Sequence, residues 1–508
     1  MKRIYNIKFI AFLGILGLFS ACDKELDKEN PNNVIVKSFY AKTGDVTSAV
    51  NAVYAVLQDP QLISREWFFT NDLRSDDMAS GGGQLETPRY QLLIGTNDAS
   101  NAVATSFWQG LYGVVHRANA VIEFGPNAVT TSDKDKALLN SRIAEAKYLR
   151  AWAYFELASI WGQVPLYDVT VKTVDGTKPL APIADIYASI EANLNDAIGI
   201  LPIVQDDAGR ITRGAARGLL AKVYMQQNKY AEAKTQLDSI INSPLNPYKL
   251  VNNFNDNFME ETEYNAEAVF EVGFIDQNGN YGWGYNQGNV QGQETTIHNQ
   301  EINPLTWGNL IPSLKLVEEF EAGDPRYKFT FYEVGDSYAG GVLQQKNFNI
   351  ASTTTGGVTK KVGWRKHTIL YKNTQDYYPS GNNERVMRYA EILLMMAECV
   401  NETGGSQADV LKYLNPTRAR ASVNMPLYGT PAMDAQYPVD TKENRFKAIV
   451  HEKRVELAGE EIRNKDILRW RDQGKIALIG GEPISYYNEN YRWLPIPQYE
   501  KDNNPSIK

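Results

Sequence analysis

Between Ser132 and Gly162 the chain contains neither glycine nor proline. Ser132 with Asp135 three residues on reads as a helix N-cap and capping box, and Gly162 followed by Pro165 reads as the stop. The stretch predicts one helix of roughly 29 residues, about 43 Å long at 1.5 Å per residue. Its apolar positions Ile143, Ala144, Leu149, Trp152, Ala153, Phe155, Ala158 and Ile160 cover more than one stripe, so neighbours must contact it on two sides. Small residues alternate with large ones, which lets partner helices approach to about 8–10 Å. A chain built on such an interior beam must be mainly α-helical.

The helices that surround the beam are legible as periodic segments. Val50, Val53, Tyr54 and Leu57 share one face of a helix over 47–59. Over 106–124, Phe107, Leu111, Val114, Val115, Ala118, Val121 and Ile122 do the same; Trp108 borders that face and is read as packing, and His116 as structural. A further helix is expected over 181–202. Residues 212–244 read as a tetratricopeptide-like hairpin with Leu220, Ala221, Tyr224, Tyr230, Ala233 and Ile240 at its contacts. The pattern recurs more loosely in "EILLMMAECVNETGGSQADVLKYLNPTRARA", with Gly404 and Gly405 at the turn. From Glu271 to Arg385 the helical period fails, and a long irregular insertion is expected, of the kind that carries function.

Charge and cysteine content narrow the function. The formal net charge is −8, an acidic balance that repels phosphate backbones and argues against nucleic acid. Lys2, Arg3 and Lys8 precede an uncharged run from Phe9 to Ala21, which is too short to span a bilayer and reads as an export signal over residues 1–21. Cys22 follows it, and a polar, proline-broken stretch over 22–33 reads as a tether. The other cysteine, Cys399, sits in an apolar helix and is read as a small buried hydrophobe.

Two stretches have the composition of a sugar-binding surface. In "SREWFFTNDLRSDDMASGGG", Trp67 stands near Asp72, Arg74 and Asp77 in what reads as a loop. Aromatic faces cover the apolar face of a pyranose while charged groups bind its hydroxyls; the competing reading tucks Trp67 into the core. The second stretch, 277–309, holds Tyr281, Trp283, Tyr285 and Trp307 among twelve Asn or Gln side chains, and no Lys or Arg occurs between Lys249 and Lys315. Neutral amides both donate to and accept from hydroxyls, so this composition suits carbohydrate better than nucleotides. The competing reading is a glycine-rich loop packing itself down.

Catalytic signatures are missing: there is no H-E-x-x-H, C-x-x-C, G-x-S-x-G, P-loop or G-x-G-x-x-G. The four histidines, His116, His298, His367 and His451, are too dispersed along the chain to predict a metal site, and no cofactor is expected. Glu452, Glu456 and Glu460 repeat every four residues and are expected to pair along the helix with Lys453, Arg454, Arg463 and Arg469.

Several segments carry a family resemblance. "AEAKYLRAWAYFELASIWGQVPL", the "W..LY......AN..I" pattern, the hairpin over 212–244, "NNERVMRYAEILLMMAECVNE", "IVHEKRVELAGEEIRNKDILRWRDQG" and the terminal "PIPQYE" resemble, in order, the SusD/RagB family of surface glycan-binding lipoproteins. "LFSAC" resembles a bacterial lipobox with Phe19 where leucine is usual, which would make Cys22 the acylated residue. The resemblance implies a SusD-like helical fold with tetratricopeptide-like pairs in an N-terminal half over 34–250. A C-terminal half over 251–508 would carry the 271–385 insertion and its ligand-bearing loops. It implies a non-enzymatic, lipid-anchored protein of the outer-membrane surface that captures an oligosaccharide and passes it to a SusC-like TonB-dependent transporter. A peptide-binding uptake lipoprotein on the same scaffold, a glycoside hydrolase and a purely structural scaffold for the transporter are the rival readings.

Overall fold

Ser132 caps the beam as its spacing predicts: its side chain accepts from the Asp135 N–H at 3.1 Å, and the helix runs over Asp133–Trp161. The computed structural model describes residues 39–80, 85–173, 176–275, 298–348, 353–355, 358–372, 380–479 and 489–507. Helices dominate these residues: α1 (Thr43–Leu57), α2 (Glu66–Asp72), α3 (Ala102–Phe124), α4 (Asp133–Trp161), α5 (Ile183–Ile200), α6 (Arg213–Gln226), α7 (Tyr230–Ile241), α8 (Tyr389–Glu402), α9 (Gln407–Arg418), α10 (Lys442–Leu457) and α11 (Arg463–Asp472). The beam is α4. It packs against α1 and α3 on one side and α5 on the other, and contacts then pass from α5 to α6, α6 to α7, α7 to α8, and α8 to α9 and α10. The expectation of two-sided contact therefore holds.

Small residues do what close packing asks of them. Ala144, Ala146, Ala151, Ala153 and Ala158 are fully buried beside Leu149, Trp152 and Phe155. Charges that the apolar pattern does not show pin the beam to its neighbours. Glu145 accepts from Tyr54 of α1 at 3.0 Å, from Arg142 at 2.5 Å and from Arg210 at 2.9 Å. Arg150 donates to Asn119 of α3 and to Asn193 of α5, both at 2.6 Å. A buried charge without such partners would cost several kcal/mol, on the order of 3–5.

The end of the beam is held by the end of the chain. Gly162 adopts a left-handed backbone with φ +74°, and a Cβ there would stand 3.0 Å from Trp493 Cε3. Leu494 N–H donates to the Ile160 carbonyl at 2.9 Å, and Trp161 Nε1 to the Pro495 carbonyl at 3.2 Å. Trp161 meets Trp108 edge-on at 5.2 Å, which makes Trp108 the packing residue expected of it.

The insertion over 271–385 is more ordered than its composition predicts. Ala268–Val272 pairs antiparallel with Glu384–Arg388, and Glu271 and Arg385 are opposite each other in that ladder. The insertion is thus an excursion whose two ends are tied together. Within it Leu310–Pro312 pairs with Met78–Ser80, and Phe331–Glu333 with Val362–Trp364. These strands are three residues long, too short for a period of two to stand out from amide-rich surroundings. One continuous apolar core runs from Tyr40 to Leu494 and includes residues of both predicted halves. No helix among the described residues is long and apolar enough to cross a membrane. The predicted export signal, Cys22 and the predicted tether lie outside the described residues.

Candidate functional site

The stretch around Trp67 is a buried helix rather than an open loop. Every residue of α2 is buried, Trp67 included, because α3 covers one side and α11 another. Asp72, Arg74 and Asp77 are buried with it, and Arg74 donates to the Tyr491 carbonyl at 2.5 Å. Asp77 accepts from Arg454 Nε at 2.8 Å, and Asp76 from Arg463 Nε at 2.8 Å. The sugar-platform reading of Trp67, Asp72, Arg74 and Asp77 is therefore corrected: these side chains are spent on protein contacts, and the core reading of Trp67 holds. A helix covered on all sides shows no amphipathic period, which is why the sequence there looks irregular.

Burial and pairing divide the titration of this acidic trio. Burial pushes Asp72 well above the usual carboxylate range, and Asp77 beside it adds to the effect. Burial acts on Asp76 in the same sense, but the guanidinium groups of Arg463 and Arg454 outweigh it and hold Asp76 low.

Of the second predicted group, Tyr281, Trp283 and Tyr285 lie outside the described residues. Trp307 is half-buried, with its backbone N–H donating to the Gln300 carbonyl at 3.3 Å. The attachment of the aromatic segment is described on both sides. Phe274 N–H donates to Asn383 Oδ1 at 2.7 Å. His298, which follows the segment, places Nδ1 3.0 Å from Glu384 Oε1. Two consecutive residues of one strand edge, Asn383 and Glu384, thus hold both ends of residues 275–298. The described chain therefore breaks off and resumes beside the same strand.

Beneath this point the acidic ladder of α10 departs from expectation. Glu452 accepts from Arg326 at 2.6 Å and Arg418 at 3.3 Å. Glu456 accepts from Arg420 at 2.8 Å, Arg326 at 3.1 Å and Arg388 at 3.2 Å. Glu460 lies beyond the end of α10 and takes Arg388 at 2.6 Å and Lys366 at 2.8 Å. Their partners come from distant stretches of chain, while Lys453, Arg454, Arg463 and Arg469 of the expected helical pairing serve Asp76, Asp77, Glu398 and Asp466 instead. Burial alone would raise Glu456, yet Arg420, Arg388 and Arg326 bring it down to about 2. This network fixes the strand that carries Glu384, since Arg388 is part of both.

Of the histidines, His116 is structural as expected, but two others converge. His116 packs against Tyr112 and Tyr167, and His451 sits between Glu319 and Glu321. His298 and His367, 69 positions apart in the numbering, are stacked with ring centroids 4.6 Å apart, and both meet Glu384. Phe68 of α2 stacks on the other face of His298 at 4.1 Å. Their spacing along the chain carries no signal of this convergence.

An internal cavity of about 40 Å³ lies between α4, α6, α8 and α11, lined by Trp67, Lys222, Glu391, Lys453, Glu461 and Lys465. It has room for a few water molecules, far short of the roughly 300–1,000 Å³ of a small-molecule site.

Comparison with known proteins agrees with this architecture. A family model described as "SusD family" matches residues 266–508, and one described as "Starch-binding associating with outer membrane" matches residues 26–225. SusD-like protein P2 of Formosa agariphila is 26% identical, over 100% of this chain and 99% of its own length. A solved structure described as a laminarin binding SusD-like protein superposes with a TM-score of 0.74 at 26% identity, over 92% of this chain and 99% of that one. Surface glycan-binding protein A from Bacteroides thetaiotaomicron in complex with laminarihexaose shares the fold with a TM-score of 0.69 at 24% identity, over 90% of this chain and 97% of that one.

Proposed function

The chain belongs to the SusD/RagB family, and on that premise we propose that it is a cell-surface lipoprotein that captures an oligosaccharide and delivers it to a SusC-like TonB-dependent transporter. The family is one of glycan binding rather than catalysis. In this reading Cys22 carries the lipid, residues 22–33 hold the folded body off the outer membrane, and no covalent step occurs. The observation that carries the proposal is the segment over 276–297, rich in aromatics and amides and free of Lys and Arg, tethered at both ends by Asn383 and Glu384. Tyr281, Trp283 and Tyr285 are assigned to stacking on sugar faces, with Trp307 at the edge, while Asn and Gln side chains bind hydroxyls. Such a surface gives the modest affinity that suits a ligand due to be released.

Affinity electrophoresis of the protein on a polysaccharide panel, with laminarin as the first probe and calorimetry on each hit, tests this. Retardation by one polysaccharide class is expected. Trp283→Ala should weaken that binding by about tenfold or more, as loss of an aromatic anchor does, and leave the melting temperature unchanged. Silence across the panel together with capture of oligopeptides would replace the reading with peptide uptake. Appearance of reducing ends would replace it with hydrolysis.

A further inference from the structure

Three potential ligands from three distant stretches of chain converge under Phe68. His298 Nδ1 lies 3.0 Å from Glu384 Oε1, and His367 Nδ1 lies 3.3 Å from Glu384 Oε2. The donor atoms of the three residues all fall within 4.8 Å of one another, and all three side chains are buried.

The hydrogen bonding of His367 makes this arrangement informative. Its Nε2 stands 3.1 Å from the Gly459 carbonyl oxygen. A carbonyl oxygen only accepts, so this nitrogen carries the hydrogen, and in a neutral ring Nδ1 then holds a lone pair. That lone pair faces a carboxylate oxygen. Two acceptors at 3.3 Å in a buried site repel each other unless a proton or a metal ion stands between them. A metal-bound histidine shows this same pattern, with one nitrogen toward the ion and the other donating to a backbone carbonyl.

Two further observations point to the same place. His367 and Glu461 hold left-handed backbones, with φ of +60° and +57°, and strain of this kind in non-glycine residues concentrates at functional sites. Acidic groups also gather there: Glu461 is near enough to Asp72, Glu384 and Glu460 to feel their charges, with Lys465 opposing them, and its Oε1 is buried without a hydrogen-bond partner.

We propose that His298, His367 and Glu384 bind one divalent transition-metal ion of the zinc class. Two imidazoles and a carboxylate suit zinc, nickel or ferrous iron, whereas calcium and magnesium take oxygen ligands. Ligands of a tetrahedral ion at about 2.1 Å stand about 3.4 Å apart; the two histidine-to-carboxylate separations, 3.0 and 3.3 Å, are of that order. Buried under Phe68, the ion is structural. It joins the residue that follows the aromatic segment to the strand edge at Glu384 and to the turn at His367, and so stiffens the base from which residues 276–297 are presented. This assignment stands whatever the surface binds.

The test uses the full chain, stripped with a chelator and titrated with zinc chloride and, separately, calcium chloride, by calorimetry and thermal melting. One zinc per chain is expected, with a rise in Tm of about 3 °C at a hundredfold excess over Kd, and no response to calcium. His367→Asn keeps a residue that tolerates the left-handed backbone but removes the imidazole, and should lower zinc affinity at least tenfold. Glu384→Gln, which conserves shape, should do the same and carries the test if His367→Asn fails to fold. His116→Asn, outside the cluster, should bind zinc as the parent does. Absence of stoichiometric zinc binding, zinc binding unchanged in both His367→Asn and Glu384→Gln, or an equal response to calcium would overturn the assignment in favour of a protonated histidine paired with Glu384.

Discussion

His451 shows how a single buried residue couples stability to pH. Its Nδ1 lies 2.6 Å from Glu319 and its Nε2 3.0 Å from Glu321. Burial alone would depress the imidazole, but the two carboxylates outweigh it and raise its pKa above the ordinary 6.5. Its stabilising contribution is therefore complete below about 6.5 and lost as pH rises through the folded value. Burial acts upward on Glu321, and hydrogen bonds from His451 and Arg418 bring it down to about 2. That contribution is present above the ordinary 4.5 and lost as pH falls toward 2. His451→Gln should thus lower Tm clearly at pH 5.5 and much less at pH 9, in melting curves taken across that range. Glu456 tests the buried network at the same scale. Its removal in Glu456→Ala takes one carboxylate from three buried guanidinium groups, those of Arg326, Arg388 and Arg420, which keep Glu452, Glu460 and Glu267, and urea unfolding should register a loss of about 3 kcal/mol.

Among the elements, the two ends of α4 should respond unequally to substitution. Ser132 caps an exposed N-terminus, so Ser132→Ala costs about 1 kcal/mol at most. Gly162 at the other end combines a positive φ with Trp493 directly over the missing Cβ. Gly162→Ala must either strain the backbone or push the indole aside, and a loss of more than about 1 kcal/mol is expected from denaturant titration. These helices were legible in the sequence because their signals are local: a cap, an apolar period and a glycine stop lie within a few residues of the bonds they govern. The short strands of the insertion were not, since a three-residue strand such as Leu310–Pro312 forms only because Met78–Ser80 lies against it. The same holds for α2, whose all-round burial erases the period that would mark it as a helix.

Across the whole molecule, ion pairs between Asp76 and Arg463, Asp77 and Arg454, and Lys465 and Glu156 join the two predicted halves, and the apolar core is continuous through both. The chain should therefore melt in a single transition in calorimetry; two resolved transitions would show that the halves are independent. A double-mutant cycle on Asp76 and Arg463 should return a coupling of about 1.5–3 kcal/mol that changes little with added salt, because buried pairs are poorly screened. The sequence by itself determined the helices that carry an apolar period, the beam at their centre and the aromatic, amide-rich composition of 276–309. All of these are written in residues close together along the chain. Only the tertiary structure decided which charges are buried and what they face. It turned Trp67, Asp72, Arg74 and Asp77 inward, gave Glu452, Glu456 and Glu460 arginines from distant stretches, and brought His298 and His367 onto Glu384. The physical reason is that a contact such as His298 to Glu384 spans 86 residues: a buried charge needs a partner, but local sequence does not say which residue the fold will bring to it.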